Sequence, residues 1–301
     1  MTVTATLLVI LSASIHAGWN LFSKSRSPTI GFFTLATWGT ILWFSPVLLI
    51  TWKLIPAISF TLWTILLGAG FFQAVYYTGL ARAYERGALS IAYPLARSLP
   101  LLILLALTFA IGRGEDLSVS AVIGILAIVI GAVILPMNHF RDFRIHHYNN
   151  PSCACAVIAA IGTAGYSFAD DIGMHLLKQV SGSAEDWARA LLYLILECVF
   201  TVFWLHLLML FDVRSADALK NDRHRLLKPA LLTGLAIGAT YGIILLAMTH
   251  AVNVSYVIGL RQLSIPIGTL LGVLLLKEKG SLPRFIGVGI LFIGLFLVAT
   301  G

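Results

Sequence analysis

Apolar residues in this chain run on in long unbroken blocks, separated by short polar stretches. Ten blocks stand out, near 4–22, 30–52, 60–81, 88–111, 118–136, 154–175, 188–211, 228–249, 252–276 and 284–300. A run of roughly 20 apolar residues is long enough to cross the hydrocarbon core as a helix. Lipid offers the backbone no hydrogen-bond partner, so only helices and closed barrels can span it. Barrel strands alternate apolar and polar residues in short segments; these runs are continuous. The pattern predicts an all-α membrane protein of ten transmembrane helices. The longest polar stretches, 137–152, 177–187 and 212–227, are too short for a soluble domain and read as loops. The first block has no basic leader and no cleavage site after it, so it reads as a retained helix and not as a signal peptide.

Composition sharpens this picture. The chain is 59% hydrophobic and 11% charged, against about 25% charged for a soluble domain, and its mean hydropathy is +0.93. The net charge of +7 does not point to nucleic acid, because the basic residues sit in short loops, where they set orientation and touch anionic lipid. Loops after odd-numbered blocks hold most of them, among them Lys24, Arg82, Arg86, Arg141, Arg214, Lys220, Arg225 and Lys277. Loops after even-numbered blocks hold Lys53, Arg113, Lys178 and Arg189. On the positive-inside rule both termini then lie outside. The cysteines are Cys153, Cys155 and Cys198; Cys153 and Cys155 open a helix without a second ligand pair, so no metal site is expected. No phosphate-cradling glycine loop is present to bind ATP, nor a nucleophile elbow or paired-histidine zinc helix. Neither a cofactor nor an enzyme activity is expected.

The chain also repeats itself. A shift of 164 places Gly70 on Gly234, Tyr77 on Tyr241, Ala83 on Ala247 and Arg97 on Arg261. A shift of 163 places Glu115 on Glu278, Gly124 on Gly287 and Gly131 on Gly294, and a shift of 147 aligns Ala17–Asn20 with Ala164–Ser167. Matches of Arg, Glu, Tyr and Gly in one order imply duplication. The units are 1–137, a linker at 138–152, and 153–301. Five helices per unit is an odd number, so the second unit starts on the opposite face and the repeats are inverted. That geometry is typical of secondary transporters with a midplane site between the halves.

At these residues the sequence resembles the drug/metabolite transporter superfamily, EamA type. The first block carries His16-Ala-Gly-Trp-Asn20 followed by Lys24; the fourth carries Gly87-Ala-Leu-Ser90, then Tyr93-Pro94-Leu-Ala-Arg97-Ser-Leu-Pro100. The ninth ends in Leu-Lys-Glu278 and the tenth has the Gly287 and Gly294 spacing. The resemblance covers nearly the whole chain. It implies ten helices in two inverted halves, and transport of metabolites, often export of amino acids or related compounds. It implies a central cavity lined largely by helices one, three, four, six, eight and nine, with both termini in the cytoplasm, opposite to the charge tally. The sixth block reads Tyr166-Ser-Phe-Ala-Asp170-Asp171, and Asp171 stands where the family often has lysine.

Residues that could carry chemistry are few. Arg97 and Arg261 sit inside apolar runs, away from a helix end, where a charge costs at least about 2.5–3.5 kcal/mol. They are expected to face a cavity and meet a substrate carboxylate or phosphate, or to form switching ion pairs. Pro94, Pro100 and Pro266 flank them as candidate hinges, since proline frees a carbonyl one turn earlier. His16, Trp19 and Asn20 form a polar patch on the first helix, with His16 and Asn20 on one face. Tyr77, Tyr93, Tyr166, Tyr241 and Tyr256, with Gln73 one turn before Tyr77, are candidate cavity residues for an amphipathic solute. Glu197, Asp170 and Asp171 are candidate proton carriers. Gly124, Gly131, Gly287 and Gly294 read as helix-packing positions, joining two helices of one chain or two chains, so the protein is expected as a monomer or homodimer.

The expected protein is a multi-pass secondary transporter of the cell membrane, of the bacterial inner-membrane kind, whose partners are a small-molecule substrate and the lipid bilayer, without nucleic acid. Its halves would rock around a midplane site, exporting an amino acid or related zwitterion or anion. A phosphorylated or nucleotide-linked sugar and a cationic drug are the alternatives within transport. A membrane-embedded lipid-modifying enzyme is a further one, and His139, His146 and His147 near Asp142 are the only cluster for it.

Overall fold

The computed structural model describes residues 2–23, 29–86, 89–135, 137, 139–142, 150–180, 184–267 and 281–300. Among these residues the chain is helical, with no strand. The long helices are α1 (Val3–Ser23), α2 (Ile30–Phe44), α3 (Phe60–Arg86), α4 (Leu89–Ala110) and α5 (Val119–Ile134). They are followed by α6 (Pro151–Val180), α7 (Asp186–Leu210), α8 (Val213–Met248), α9 (Val254–Arg261) and α10 (Leu282–Thr300). Six stretches are long and apolar enough to cross a membrane: Ile30–Ala57, Phe60–Ala83, Pro151–Gln179, Asp186–Leu210, His224–Met248 and Leu282–Thr300.

Short polar residues fix where the helices begin, because the first backbone N–H groups of a helix need an outside acceptor. Thr2, Thr29, Ser59 and Ser118 accept from the amides of Ala5, Phe32, Leu62 and Ala121. Asn150, Asn253 and Ser281 do the same for Cys153, Ser255 and Arg284.

Two sequence expectations change here. The polar stretch 212–227 is not a loop. It is the first part of the 36-residue helix α8. Its Ala, Leu, Lys and Arg residues favour helix, it extends an already nucleated span, and Leu219 packs on Gly31 of α2. The block 252–276 is also not one continuous helix: α9 stops at Arg261, turns at Gln262–Leu263 and resumes at Ser264–Ile267. The amides of Gln262, Leu263 and Ile265 bond carbonyls three residues back, a tighter turn than the α-helix. Pro266 explains the position, since its ring clashes with the carbonyl four residues earlier, at Gln262. Arg261 therefore ends a helix, whereas Arg97 stays inside one.

The molecule is apolar outside and polar inside. Phe60 is 83% exposed and Phe211 84%, and Trp38, Trp43, Leu49, Leu210 and Phe296 are also exposed. Ser12, Thr40, Gln73, Ser167, Asp170 and Glu197 are buried. In water this distribution would be unstable in both layers; in lipid it satisfies both, because the exterior solvent is hydrocarbon. Interior hydroxyls tie helices together: Ser12 Oγ donates to the Thr240 carbonyl, Thr40 Oγ1 to Gly234, and Ser152 Oγ to Ala83, at 2.8 Å in each case.

Glycines set the closest helix approaches. A Cβ at Gly124 would stand 2.7 Å from the Gly294 carbonyl oxygen, and one at Gly131 would stand 2.7 Å from that of Gly287. Thus α5 and α10 run antiparallel, backbone to backbone, as small residues on one face allow. The four glycines join two helices of a single chain. Contacts elsewhere recur at positions 164 apart. Trp204 Nε1 donates to the Leu67 carbonyl at 3.0 Å, and Trp43 Nε1 to the Leu231 carbonyl at 3.1 Å. Gly70 packs against the backbone of Phe200 and Thr201, and Gly234 against that of Gly39 and Thr40.

Replacing Gly131 or Gly287 by Leu should lower the thermal midpoint in detergent, at a cost of about 1–3 kcal/mol. Gly289→Ala, whose new Cβ meets nothing within 4 Å, should cause no loss. Equal midpoints for Gly131→Leu and wild type would contradict the seam.

Candidate functional site

Three helices bring the basic residues together. Arg97 projects from α4, and its Nη2 donates to Ser264 Oγ at 2.6 Å, in the turn after the α9 break. The Arg261 guanidinium carbon lies 5.5 Å from the centroid of the Tyr241 ring, within cation–π range. Both arginines are half-buried. The buried His16 side chain of α1 lies within electrostatic reach of both. The α9 break makes this possible: it places Arg261 at a helix end and Ser264 across from Arg97.

An aromatic wall follows. Phe33 of α2 stacks on Tyr77 of α3 at 4.7 Å between centroids. Tyr77 neighbours Tyr76 at 5.1 Å, Tyr76 meets Tyr166 of α6 edge-on at 5.8 Å, and Tyr166 meets Tyr241 of α8 edge-on at 5.6 Å. Edge-on pairs at these separations are favourable beyond their burial. Gln73 Nε2 donates to the Tyr77 hydroxyl at 3.3 Å, and its Oε1 has no hydrogen-bond partner among the described residues.

Behind the wall lie two carboxyl groups. The Tyr241 hydroxyl donates to Asp170 Oδ2, and Asp170 is within electrostatic reach of Arg261. Asp170 is 0% exposed and Glu197, on α7, 1%. Neither Glu197 oxygen has a hydrogen-bond partner among the described residues. Asp170 is its nearest charged neighbour in electrostatic terms. Arg261, Tyr241, Asp170 and Glu197 thus form a line from α9 through α8 and α6 to α7.

Two expected members lie elsewhere. Asp171 follows Asp170 by about 100° around the helix and points to a different set of partners. Its Oδ2 accepts from Arg113 Nη1 at 3.4 Å, and Oδ1 is 3.8 Å from His175 Nε2. Arg113 also bonds Asp116 at 2.8 Å and the Val252 carbonyl at 3.1 Å. Asp171 is thus part of an ion cluster joining the α4–α5 turn to α6 and to the residues before α9. Tyr256 is buried, but its hydroxyl accepts from the Ser118 amide at 3.2 Å, at the start of α5. Pro100 is accommodated inside the uninterrupted helix α4, so the break in the polypeptide is at Pro266 alone among the described prolines that flank the arginines. The side chains of Trp19, Asn20, Tyr93 and Pro94 lie outside the described residues, as do Lys24, Gly87, Lys277, Glu278, His146 and His147.

Several members of the cluster were not singled out from the sequence. Ser264 follows Arg261 by three residues, and Tyr76 is adjacent to Tyr77. Tyr193, fully buried near Asp170, stands four residues before Glu197, a spacing that places both on one face of α7. A polar pair at that spacing in an apolar helix was the available signal.

No protein-family model and no curated protein matches this chain. A solved structure described as "Crystal structure of protein" is similar to it, with a TM-score of 0.66 and 18% sequence identity over 98% of this chain and 97% of that one. At this identity the likeness concerns the fold. The class defined by fold and composition is an all-α protein with membrane-spanning helices.

Tyr241→Phe removes the donor to Asp170 and leaves a buried carboxyl oxygen short of a partner. The expected loss of stability is about 1–3 kcal/mol, read as a lower thermal midpoint in detergent. Tyr77→Phe, which loses only the 3.3 Å bond from Gln73, should lose less. The reverse order would show that the Tyr241–Asp170 bond does not hold α6 to α8.

Proposed function

We propose that this chain is a secondary transporter of the drug/metabolite transporter superfamily, EamA type, which moves a small carboxylate-bearing metabolite across the cell membrane by alternating access. The observation that carries this reading is the meeting of Arg97 and Arg261. They come from positions 164 apart, on α4 and α9, and join His16 beside a wall of tyrosines in an otherwise apolar protein. Charges inside a membrane protein mark substrate and ion pathways.

In this reading all ten helices span the bilayer, in two five-helix units of inverted topology. Its support is the antiparallel seam between α5 and α10, which are repeat mates running in opposite directions, and the paired Trp204–Leu67 and Trp43–Leu231 bonds. A discontinuous helix at the site, such as α9, is a recurring device of transporters. Arg97 and Arg261 bind the carboxylate of an anionic or zwitterionic solute such as an amino acid, and the tyrosines bind its apolar part. Two cations at the site disfavour a cationic drug. Asp170 and Glu197 are the candidate proton carriers of such a transporter.

The test is a thermal-shift screen of the detergent-purified protein against amino acids, phosphorylated sugars, nucleotides and cationic drugs, repeated on Arg97→Ala, with flux of the best ligand into proteoliposomes. A ligand at about 100 times its dissociation constant should add roughly 2.7 kcal/mol of stability. The expected result is a shift by a carboxylate-bearing solute, lost in Arg97→Ala together with its flux, while membrane insertion of the variant is unchanged. Wild-type flux in Arg97→Ala would remove this residue from the site.

A further inference from the structure

The charges in the cluster do not balance pairwise, and the imbalance singles out one carboxyl group. Guanidinium groups keep their charge at all ordinary pH, so Arg97 and Arg261 are permanent cations. Arg261 has Asp170 as its counter-charge across the Tyr241 ring and hydroxyl. Arg97 has the neutral Ser264 hydroxyl as its hydrogen-bond partner, and its buried Nε has none among the described residues. Glu197 lies fully inside the bundle with neither oxygen hydrogen-bonded among the described residues. One cation and one carboxyl group therefore remain, on opposite sides of the tyrosine wall.

The titratable groups around Glu197 are few. Asp170 faces it from α6, Tyr77 from α3, Tyr241 from α8, and Tyr193 and Cys198 lie beside it on α7. The α2 segment Ile30–Phe44, which also packs on α7, has no titratable side chain. His16 belongs to the arginine side of the cluster. With Glu197 ionised, two arginines face two carboxylates and the empty site is neutral. An anion arriving at Arg97 would then leave a buried net negative charge, which an apolar interior disfavours. With a proton on Glu197 the site carries one positive charge, and one bound anion restores neutrality.

We propose that Glu197 takes up a proton from water as a monoanion binds at Arg97, so that anion and proton occupy the site together and cross as a neutral pair. This rests on the reading of Arg97 as an anion site, and it adds the coupling ion, its carrier and the stoichiometry. Coupling of this kind is reciprocal: whatever the proton adds to anion affinity, the anion adds to proton affinity.

Benzoate is a suitable probe, since it offers a carboxylate to Arg97 and a ring to Tyr76, Tyr77, Tyr166 and Tyr241, and nothing else. The experiment is calorimetric titration of benzoate into the detergent-purified full chain across the neutral pH range, in buffers of different ionisation heat, so that protons taken up per bound anion are counted. Wild type should take up close to one proton, and its affinity should fall by up to about tenfold per pH unit on the alkaline side. Glu197→Gln, which fixes the neutral form, should bind with no proton uptake and an affinity independent of pH. Arg97→Ala should not bind. Binding by wild type without proton uptake, or a slope that persists in Glu197→Gln, would overturn the coupling and leave the transporter reading intact. Failure of wild type to bind benzoate anywhere in the range would overturn both the coupling and the anion site on which it rests.

Discussion

The constraint on which this structure depends is that its outer solvent cannot form hydrogen bonds. Every polar group that is not at a membrane surface must find its partner inside the protein. This fixes the helical backbone, turns Ser12, Thr40 and Ser152 toward carbonyls of neighbouring helices, and leaves Phe60, Phe211 and the exposed tryptophans on the outside. It also explains why the charged residues of the interior gather in one place. Arg97, Arg261, Asp170 and Glu197 would each be costly alone in hydrocarbon. Together with the tyrosines they share one polar interior.

A second consequence concerns approach distance. Helices in lipid are held by close packing and interhelical hydrogen bonds, without help from the hydrophobic effect. The backbones of α5 and α10 touch at Gly124–Gly294 and Gly131–Gly287, which makes this seam a rigid contact of two repeat mates. The break at Pro266 has the opposite character. It interrupts the helix that carries Arg261, frees the turn at Gln262–Leu263, and sets Ser264 against Arg97. Rigidity at the seam and a discontinuity at the site are the two mechanical properties that rocking of two halves requires.

Much of this was legible in the sequence. The helix positions followed from unbroken apolar runs, and the pairing of Arg97 with Arg261 and of Tyr77 with Tyr241 followed from the 164-residue shift. The glycine spacing announced a packing seam. What was not legible depended on rotation and on contacts far apart in the chain. Asp170 and Asp171 are neighbours in sequence, yet one faces Tyr241 and the other Arg113, a distinction that a run of residues does not display. Tyr256 looked like a cavity residue and instead holds the start of α5, because a tyrosine in an apolar helix carries no sign of which acceptor or donor it meets. The helical extension of α8 into 212–227 was hidden by its charge, since polar residues outside the bilayer can be helix or loop. The break in α9 could have been read from Pro266 and the four-residue reach of its ring.

The central claim is that Arg97, Ser264 and Arg261 lie at a site that opens in turn to the two faces of the membrane. It is tested most directly by placing a single reporter there: Ser264→Cys in a chain whose Cys153, Cys155 and Cys198 have been replaced, reconstituted in vesicles and exposed to a membrane-impermeant thiol reagent from each side separately. Alternating access predicts that Cys labelling proceeds from either face and is slowed by the bound solute. Labelling from neither face would make the arginine cluster a static structural element and contradict the account.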